Sequence, residues 1–99
     1  MIRGIARLGD KTYGICRCHI TPIMVRGRIV SASADSFADK RGIARIGDKV
    51  IADCGHTGII VSASILTFAN RRGVARLGDK TVGCYNAFIL SGSSTSFTL

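Results

Sequence analysis

The chain has 99 residues, a formal net charge of +8 and a hydrophobic content of 46%. A chain of this length forms one domain with a modest core, so a cross-link or a bound partner would help to stabilise it. The absence of a run of about 18 apolar residues excludes a membrane-spanning helix. The first residues lack the apolar core of a signal peptide, so any export is expected to use another route than a cleaved signal.

The excess of positive charge is spread over repeat-equivalent positions and forms no basic tract. No row of aromatic residues alternates with the basic ones, as a surface that stacks nucleic-acid bases would require. We therefore interpret the positive charge as part of a solvated surface, or as a positively charged lower face of the molecule that contacts an acidic partner. A basic, zinc-binding nucleic-acid module is the alternative function, since strongly basic chains often bind nucleic acid.

A hexapeptide, Ala-Arg-x-Gly-Asp-Lys, occurs three times, at residues 6–11, 44–49 and 75–80. A period of about 30 residues indicates one supersecondary unit that is used three times. Glycine permits the positive φ angle of a tight turn, and aspartate stabilises the turn with its side chain. We interpret the motif as a turn-forming sequence, in which the arginine pairs with an aspartate of the same or the next unit. We assign no catalysis to it.

The first unit spans residues 6–43. After the repeated motif it contains two cysteines and a histidine within residues 16–19, and then a longer insertion at residues 20–25. A strand–turn–strand pattern follows, and Phe37 lies in its second strand. Apolar residues on both sides of a small polar turn predict a β-hairpin.

The second unit, residues 44–74, repeats the same order of features. Its cysteine and histidine lie within residues 54–56, and Phe68 lies in the second strand of its hairpin. A basic glycine turn at residues 70–73 then leads into the third copy of the motif. The second unit therefore has the same predicted hairpin as the first, without the insertion.

The third unit, residues 75–99, contains Cys84 and reaches Phe97 shortly before the chain ends. Residues 1–5 supply the glycine turn and the strand that this unit lacks. We therefore predict a closed ring of three β-hairpin repeats, completed by the two termini, because an open solenoid would need capping repeats. No window shows a sustained helical period with caps, so the predicted fold class is all-β.

All cysteines and histidines of the chain fall in one segment type, between the Gly-Asp turn and the hairpin. In a ring of three units these segments converge at one end, which brings nitrogen and sulfur donors together. Thiolate and imidazole donors select zinc or an iron–sulfur cluster over hard cations, and a structural zinc ion takes four of them. We predict one structural zinc ion, and we favour a metal site over a disulfide scaffold because the chain lacks a signal peptide.

The predicted metal ligands are His19, Cys54, His56 and Cys84. This set draws on every unit, and Gly55 permits the bend that two ligands two residues apart would need. Cys16 aligns with Cys54, and Cys18 aligns with His56, so either cysteine could replace one of the four. The alternative for each of these cysteines is that it is a small, buried hydrophobic residue that binds no metal.

No catalytic residue is predicted, and we expect the protein not to be an enzyme. A catalytic zinc ion needs an open coordination position and a general base. The chain contains no glutamate, since all its acidic residues are aspartates. A small metalloenzyme and a structural β-module that happens to hold metal are the further alternatives.

The three Ala-Arg-x-Gly-Asp copies, the cysteine- or histidine-containing segment after each, and the Ser-x-Ser hairpins with their glycine turns resemble the PAAR-repeat family. This family is named after its proline-alanine-alanine-arginine motif. The resemblance covers nearly the whole chain, although Gly-Ile or Gly-Val replaces the first Pro-Ala of the motif here.

The resemblance implies a small cone with zinc at its apex, seated on a trimeric β-helical spike. Such a spike is the valine-glycine repeat protein of type VI secretion systems, or the central spike of contractile phage tails. The cone would sharpen the spike that pierces a target membrane, and the protein would be found at the tip of the phage tail or be secreted with the type VI apparatus. With no extension expected at either end, the chain would be a bare tip that binds any effector non-covalently.

Overall fold

In the computed structural model, which describes residues 2–99, the chain is all-β, as the sequence predicts. The strands are β1 (Arg3–Gly4), β2 (Lys11–Cys16), β3 (Ile23–Ile29), β4 (Phe37–Ala38), β5 (Arg41–Gly42), β6 (Lys49–Ala52), β7 (Thr57–Ile60), β8 (Phe68–Ala69), β9 (Arg72–Gly73), β10 (Thr81–Gly83), β11 (Tyr85–Ile89) and β12 (Phe97–Thr98). Buried and exposed side chains alternate along the longer strands, because only one face of the sheet packs into the interior. Residues 2–99 contain no helix that could cross a membrane.

Six strands form one antiparallel sheet in the order β10–β7–β6–β3–β2–β11. An antiparallel bridge between Lys80 and Phe88 brings the two outer strands together, so that the sheet nearly closes into a barrel. Since β2, β6 and β10 run in the same direction, the connections that follow them all lie at one end of the sheet. The hairpins predicted around residues 34–36 and the equivalent turns do not form, because residues 30–36 lie outside any strand and the strand that holds Phe37 pairs with β5 instead. The hairpins of the structure are β2–β3, β6–β7 and β10–β11. We call the end at which their connections lie the hairpin-tip end.

Three small two-stranded sheets, β1–β12, β4–β5 and β8–β9, complete the fold. Each pairs a phenylalanine with a glycine: Phe97 with Gly4, Phe37 with Gly42, and Phe68 with Gly73. The first of these sheets joins the N-terminal strand to the C-terminal strand. The other two are closed by two-residue loops whose central residues have positive φ angles between 52° and 67°, which is typical of a type I′ turn.

The alanine of the repeated motif lies where three backbones meet. Ala44 donates its N–H to the carbonyl of Ala6 (3.0 Å), Ala75 donates to Ala44 (2.9 Å), and Ala6 donates to Ala75 (2.9 Å). The three residues thus form a closed ring of hydrogen bonds, and each has no exposed surface. Since interiors are close-packed, a larger side chain at this meeting point would push the backbones apart. We call these three residues the alanine ring.

The aspartate of each motif is buried beside two arginines and a serine, as the second unit illustrates. Asp48 is 3% exposed and accepts hydrogen bonds from the Arg45 backbone N–H (2.7 Å) and the Arg45 Nε (2.9 Å). Arg72 and Ser31 donate to its other oxygen, each at 3.1 Å. These hydrogen bonds with Asp48 raise the pKa of Arg45 above its usual value. The buried carboxylate is therefore paired and hydrogen-bonded, as burial of a charge requires.

The same arrangement occurs in the other two units. Asp10 contacts Arg7, Arg41 and Ser91, while Asp79 contacts Arg76, Arg3 and Ser62. The preceding glycine has a φ angle of 85° to 88° in all three motifs. The interpretation of the motif as turn chemistry, with the arginine paired to the aspartate of its own unit, is confirmed.

The core inside the sheet is small and is built mostly from aliphatic side chains, among them Ile29, Ile60 and Ile89. Tyr85 is the largest fully buried residue. Its hydroxyl group donates to the Val25 carbonyl (3.2 Å) and lies 2.8 Å from the Thr12 hydroxyl group. Burial raises the pKa of this phenol, which keeps it neutral.

Candidate metal centre

The cysteines and histidines lie at the hairpin-tip end, in the three connections or at the strand ends next to them. Residues 17–22 connect β2 to β3, residues 53–56 connect β6 to β7, and Cys84 alone connects β10 to β11. The closed sheet holds these connections side by side. The convergence expected from the repeat pattern is therefore present in the structure.

Four side chains at this end could hold one metal ion: Cys16, His19, Cys54 and His56. Their candidate ligand atoms all lie within 4.8 Å of one another. The His56 Nδ1 atom is 3.2 Å from the Cys16 Sγ atom and 3.6 Å from the Cys54 Sγ atom. Tetrahedral zinc with ordinary bond lengths separates a sulfur and a nitrogen ligand by about 3.5 Å. We call these four residues the Cys/His cluster.

His19 supplies a separate indication of a bound ion. Its Nε2 atom is the one buried side-chain nitrogen or oxygen in residues 2–99 that has no hydrogen-bond partner. Leaving a buried polar atom without a partner costs about 1–3 kcal/mol, and coordination to a metal removes this cost. The His19 and His56 rings pack edge to face with their centroids 4.8 Å apart, so both imidazoles belong to the same site.

The alternation along β2 explains how Cys16 joins the cluster. Thr12, Gly14 and Cys16 are the buried positions of this strand, and the thiol of Cys16 therefore points into the interior. Burial raises the pKa of that thiol, and the neighbouring Cys54 raises it further. Because thiolate is the metal-binding form, binding of an ion here releases a proton.

The structure brings three of the predicted ligands together and leaves out the fourth. His19, Cys54 and His56 are in the cluster, whereas Cys84 forms a disulfide with Cys18. Cys16, which the sequence offered only as a possible replacement, takes the place expected for Cys84. The alternation along β2 points Cys16 into the interior, which favours it as a ligand. This could be recognised only once the bounds of the strand were known. The full ligand set stays a prediction.

The disulfide corrects part of the preference for a metal site over a disulfide scaffold, since two of the four cysteines bond to each other and the other two lie in the Cys/His cluster. Cys18 and Cys84 are 66 residues apart in sequence, and their Cα atoms are 5.2 Å apart, which is an ordinary distance for a disulfide. The bond ties the first hairpin to the third, while the Cys/His cluster draws on the first and the second. The disulfide therefore joins two of the three hairpin tips, and a metal ion in the cluster would join the remaining one to them.

The comparisons with known proteins give no family assignment. The chain matches no protein-family model, and no curated protein is significantly similar to it. Its resemblance to the PAAR-repeat family therefore rests on the repeated motifs described above.

Proposed function

We propose that this protein is a non-enzymatic, zinc-stabilised tip that caps a trimeric β-helical spike. The observation that carries the proposal is the alanine ring, since one chain repeats the same backbone hydrogen bonds three times around a common point. A homotrimer presents three equal strand ends, and a single chain can match them only if its own base has three equivalent parts. The PAAR-like motifs supply the class of partner.

Zinc is the ion that the Cys/His cluster fits best. Two sulfur and two imidazole donors at these separations correspond to a tetrahedral site, and such donors disfavour hard cations. Four protein ligands leave no open coordination position, so the ion would be structural rather than catalytic. A structural zinc contributes on the order of 10 kcal/mol to the stability of a small domain.

The tip end suits penetration of a membrane because its connections are tied together. Residues 2–99 have principal extents of 39 × 27 × 21 Å, and we infer that they form a cone about a pseudo-three-fold axis through the alanine ring. The Cys/His cluster and the Cys18–Cys84 disulfide would then lie at the apex. Cross-linked hairpin tips resist fraying, which a piercing point requires.

We infer that the opposite end carries the exposed apolar side chains that recur at equivalent positions of the three units. Phe37, Phe68 and Phe97 lie in the three small sheets and are 60%, 60% and 54% exposed. Each phenylalanine pairs with the glycine that lies two residues before the alanine of a repeated motif. Each also lies far along the chain from the hairpin tips. A ring of three exposed aromatic residues is typical of an interaction surface, and we propose that the trimeric spike covers it.

Within this proposal the spike belongs to a type VI secretion system or to a contractile phage tail. The target membrane is contacted only transiently, during puncture. An effector would attach without a covalent link, on a surface that the spike leaves free. The proposed location is the tip of the injection apparatus.

The decisive experiment mixes the purified chain with trimeric β-helical spike fragments and measures the mass of the complex by light scattering after size exclusion. We expect one chain per spike trimer. The triple variant Phe37→Ser/Phe68→Ser/Phe97→Ser should abolish the complex. Phe88→Ser is the matched control, since Phe88 is also exposed (51%) but lies on the outer face of the barrel. Absence of a complex with every spike, or equal loss in both variants, contradicts the proposal.

A further inference from the structure

We propose that the outer face of the first hairpin, β2–β3, binds an extended acidic peptide segment. A groove of about 590 Å³ lies on this face, within the size range of about 300–1,000 Å³ that ligand sites have. Its lining includes four charged side chains and one tyrosine: Lys11, Arg26, Arg28, Asp53 and Tyr13. We call it the basic groove. It shares no residue with the Cys/His cluster or with the three phenylalanines, so it is independent of the proposed function.

The strand register places the charged side chains of the groove in two rows. Lys11 pairs with Arg28, and Tyr13 pairs with Arg26. All four side chains are on the exposed phase of their strands. Residues two apart on a strand are separated by about 6.8 Å, so the groove presents cations at two positions that far apart.

These cations are not used by the fold. Arg3, Arg7, Arg41, Arg45, Arg72 and Arg76 form ion pairs with aspartates. Within residues 2–99, by contrast, Lys11, Arg26 and Arg28 have no carboxylate oxygen within 4.0 Å. Their charges are therefore available to a ligand.

The basic groove is present on one hairpin of the three. Lys49 and Lys80 occupy the positions equivalent to Lys11, but they face Ile59 and Phe88 where the first hairpin has Arg28. A residue needed for the repeated fold would occur in all three units, as the motif aspartate does. The extra arginines of the first hairpin therefore indicate a role outside the fold.

The arrangement fits a peptide with carboxylates at alternate positions. In an extended chain such carboxylates lie about 6.8 Å apart on one side, which equals the spacing of the two rows. Arginine binds a carboxylate through two parallel hydrogen bonds, which favours this ligand geometry. Leu90 and Tyr13 add apolar contact at the rim of the groove.

Asp53 distinguishes a peptide from a nucleic acid. Its carboxylate lines the same groove and can only accept hydrogen bonds when it is ionised. A peptide backbone offers N–H donors to it, whereas a sugar–phosphate backbone has no N–H group. The hydrogen-bond acceptor in the groove therefore favours an acidic peptide over the backbone of a nucleic acid strand.

Fluorescence anisotropy with labelled hexaglutamate tests the proposal, with labelled hexalysine as the probe control, at an ionic strength of about 0.15 M, where distant charges are screened. We expect hexaglutamate to bind and Arg26→Gln/Arg28→Gln to weaken its binding at least about tenfold, or about 1.4 kcal/mol. The matched variant Lys49→Gln/Lys80→Gln removes the same charge from the other hairpins and should change the affinity less than about twofold, because binding requires the groove itself.

The other outcomes each overturn the proposal. Equal loss of affinity in the two variants would mean that hexaglutamate senses only the net charge. Absence of hexaglutamate binding removes the site. Tighter binding of a single-stranded oligothymidylate with the same number of charges, lost in Arg26→Gln/Arg28→Gln, would make the groove a nucleic-acid site. Circular dichroism of both variants checks that the fold is intact, which we expect because all four substituted side chains are exposed.

Discussion

The region around the alanine ring and the hairpin-tip end of the molecule use the same three units in opposite ways. Around the alanine ring every unit makes the same hydrogen bonds and buries the same aspartate. At the hairpin-tip end the units differ: the first and second supply the Cys/His cluster, and the third supplies one half of a disulfide. The three units thus keep the same residues where their backbones hydrogen-bond to one another. They differ in their residues at the tips, where side chains only have to connect one hairpin to the next.

Two physical requirements explain this difference. A closed ring of backbone hydrogen bonds needs the same geometry from each member, so the alanine and the Gly-Asp turn cannot vary independently. A cross-link needs only two reactive groups within reach, so a metal ion and a disulfide are interchangeable as connectors. Variants in the uniform region around the alanine ring and in the diverse hairpin tips should therefore differ in their effects.

The largest expected effect comes from removing the proposed metal ion from the Cys/His cluster at the hairpin-tip end. Since a structural zinc contributes on the order of 10 kcal/mol, chelation or the variant Cys54→Ser should lower the thermal midpoint more than any other change considered. Elemental analysis gives the metal content per chain, and circular dichroism gives the midpoint. A purified, folded chain that contains no metal contradicts the zinc proposal.

The ligand set is tested by comparing two changes to cysteines. Cys16→Ser should lose the bound metal, whereas Cys18→Ser/Cys84→Ser should keep it and lose only the disulfide. The disulfide variant should still be destabilised by about 2–4 kcal/mol. Retention of metal in Cys16→Ser together with its loss in the Cys18/Cys84 variant would show that the sequence-based choice of Cys84 was right.

In the uniform region, Asp48→Asn should lower the free energy of unfolding by about 3–5 kcal/mol, because it leaves two arginines beside a buried site without their counter-charge. Urea denaturation measures this change. Asp53→Asn is the matched control: Asp53 is exposed, and a surface substitution changes stability by about 0.5 kcal/mol or less. Similar losses in the two variants would mean that the buried aspartate cluster has no special role.

The smallest effect is expected at a turn, where Arg71→Gly should stabilise the protein. Arg71 has a φ angle of 66°, and relieving a left-handed conformation gains about 1–2 kcal/mol. The added freedom of glycine in the unfolded chain costs about 0.5–1 kcal/mol, so the net gain is about 0.5–1 kcal/mol. Lys40→Gly at the equivalent turn should behave alike, and Lys49→Gly at the first residue of β6 should destabilise the protein. A loss of stability in Arg71→Gly would contradict the strain assigned to this turn.

Much of the fold could be predicted because the repeat is explicit. Three copies of one motif give the units, glycine and aspartate give the turns, and no segment has a helical period, so the all-β fold class followed from local patterns. The sequence left open whether each motif arginine pairs with an aspartate of its own unit or of the next. The structure shows pairing within the unit, since Asp48 contacts Arg45 and Arg72, which both belong to the second unit.

The candidate site could be predicted only as a group. The sequence by itself determined that the cysteines and histidines meet at one end, because they occupy the same place in every unit. Only the tertiary structure decided which sulfur lies beside which partner. The connections have different lengths, so Cys84 alone between two strands reaches Cys18 in the longer first connection. The inward phase of β2 turns Cys16 toward the histidines. Distances between units depend on how the sheet closes, and no local pattern in the chain encodes that closure.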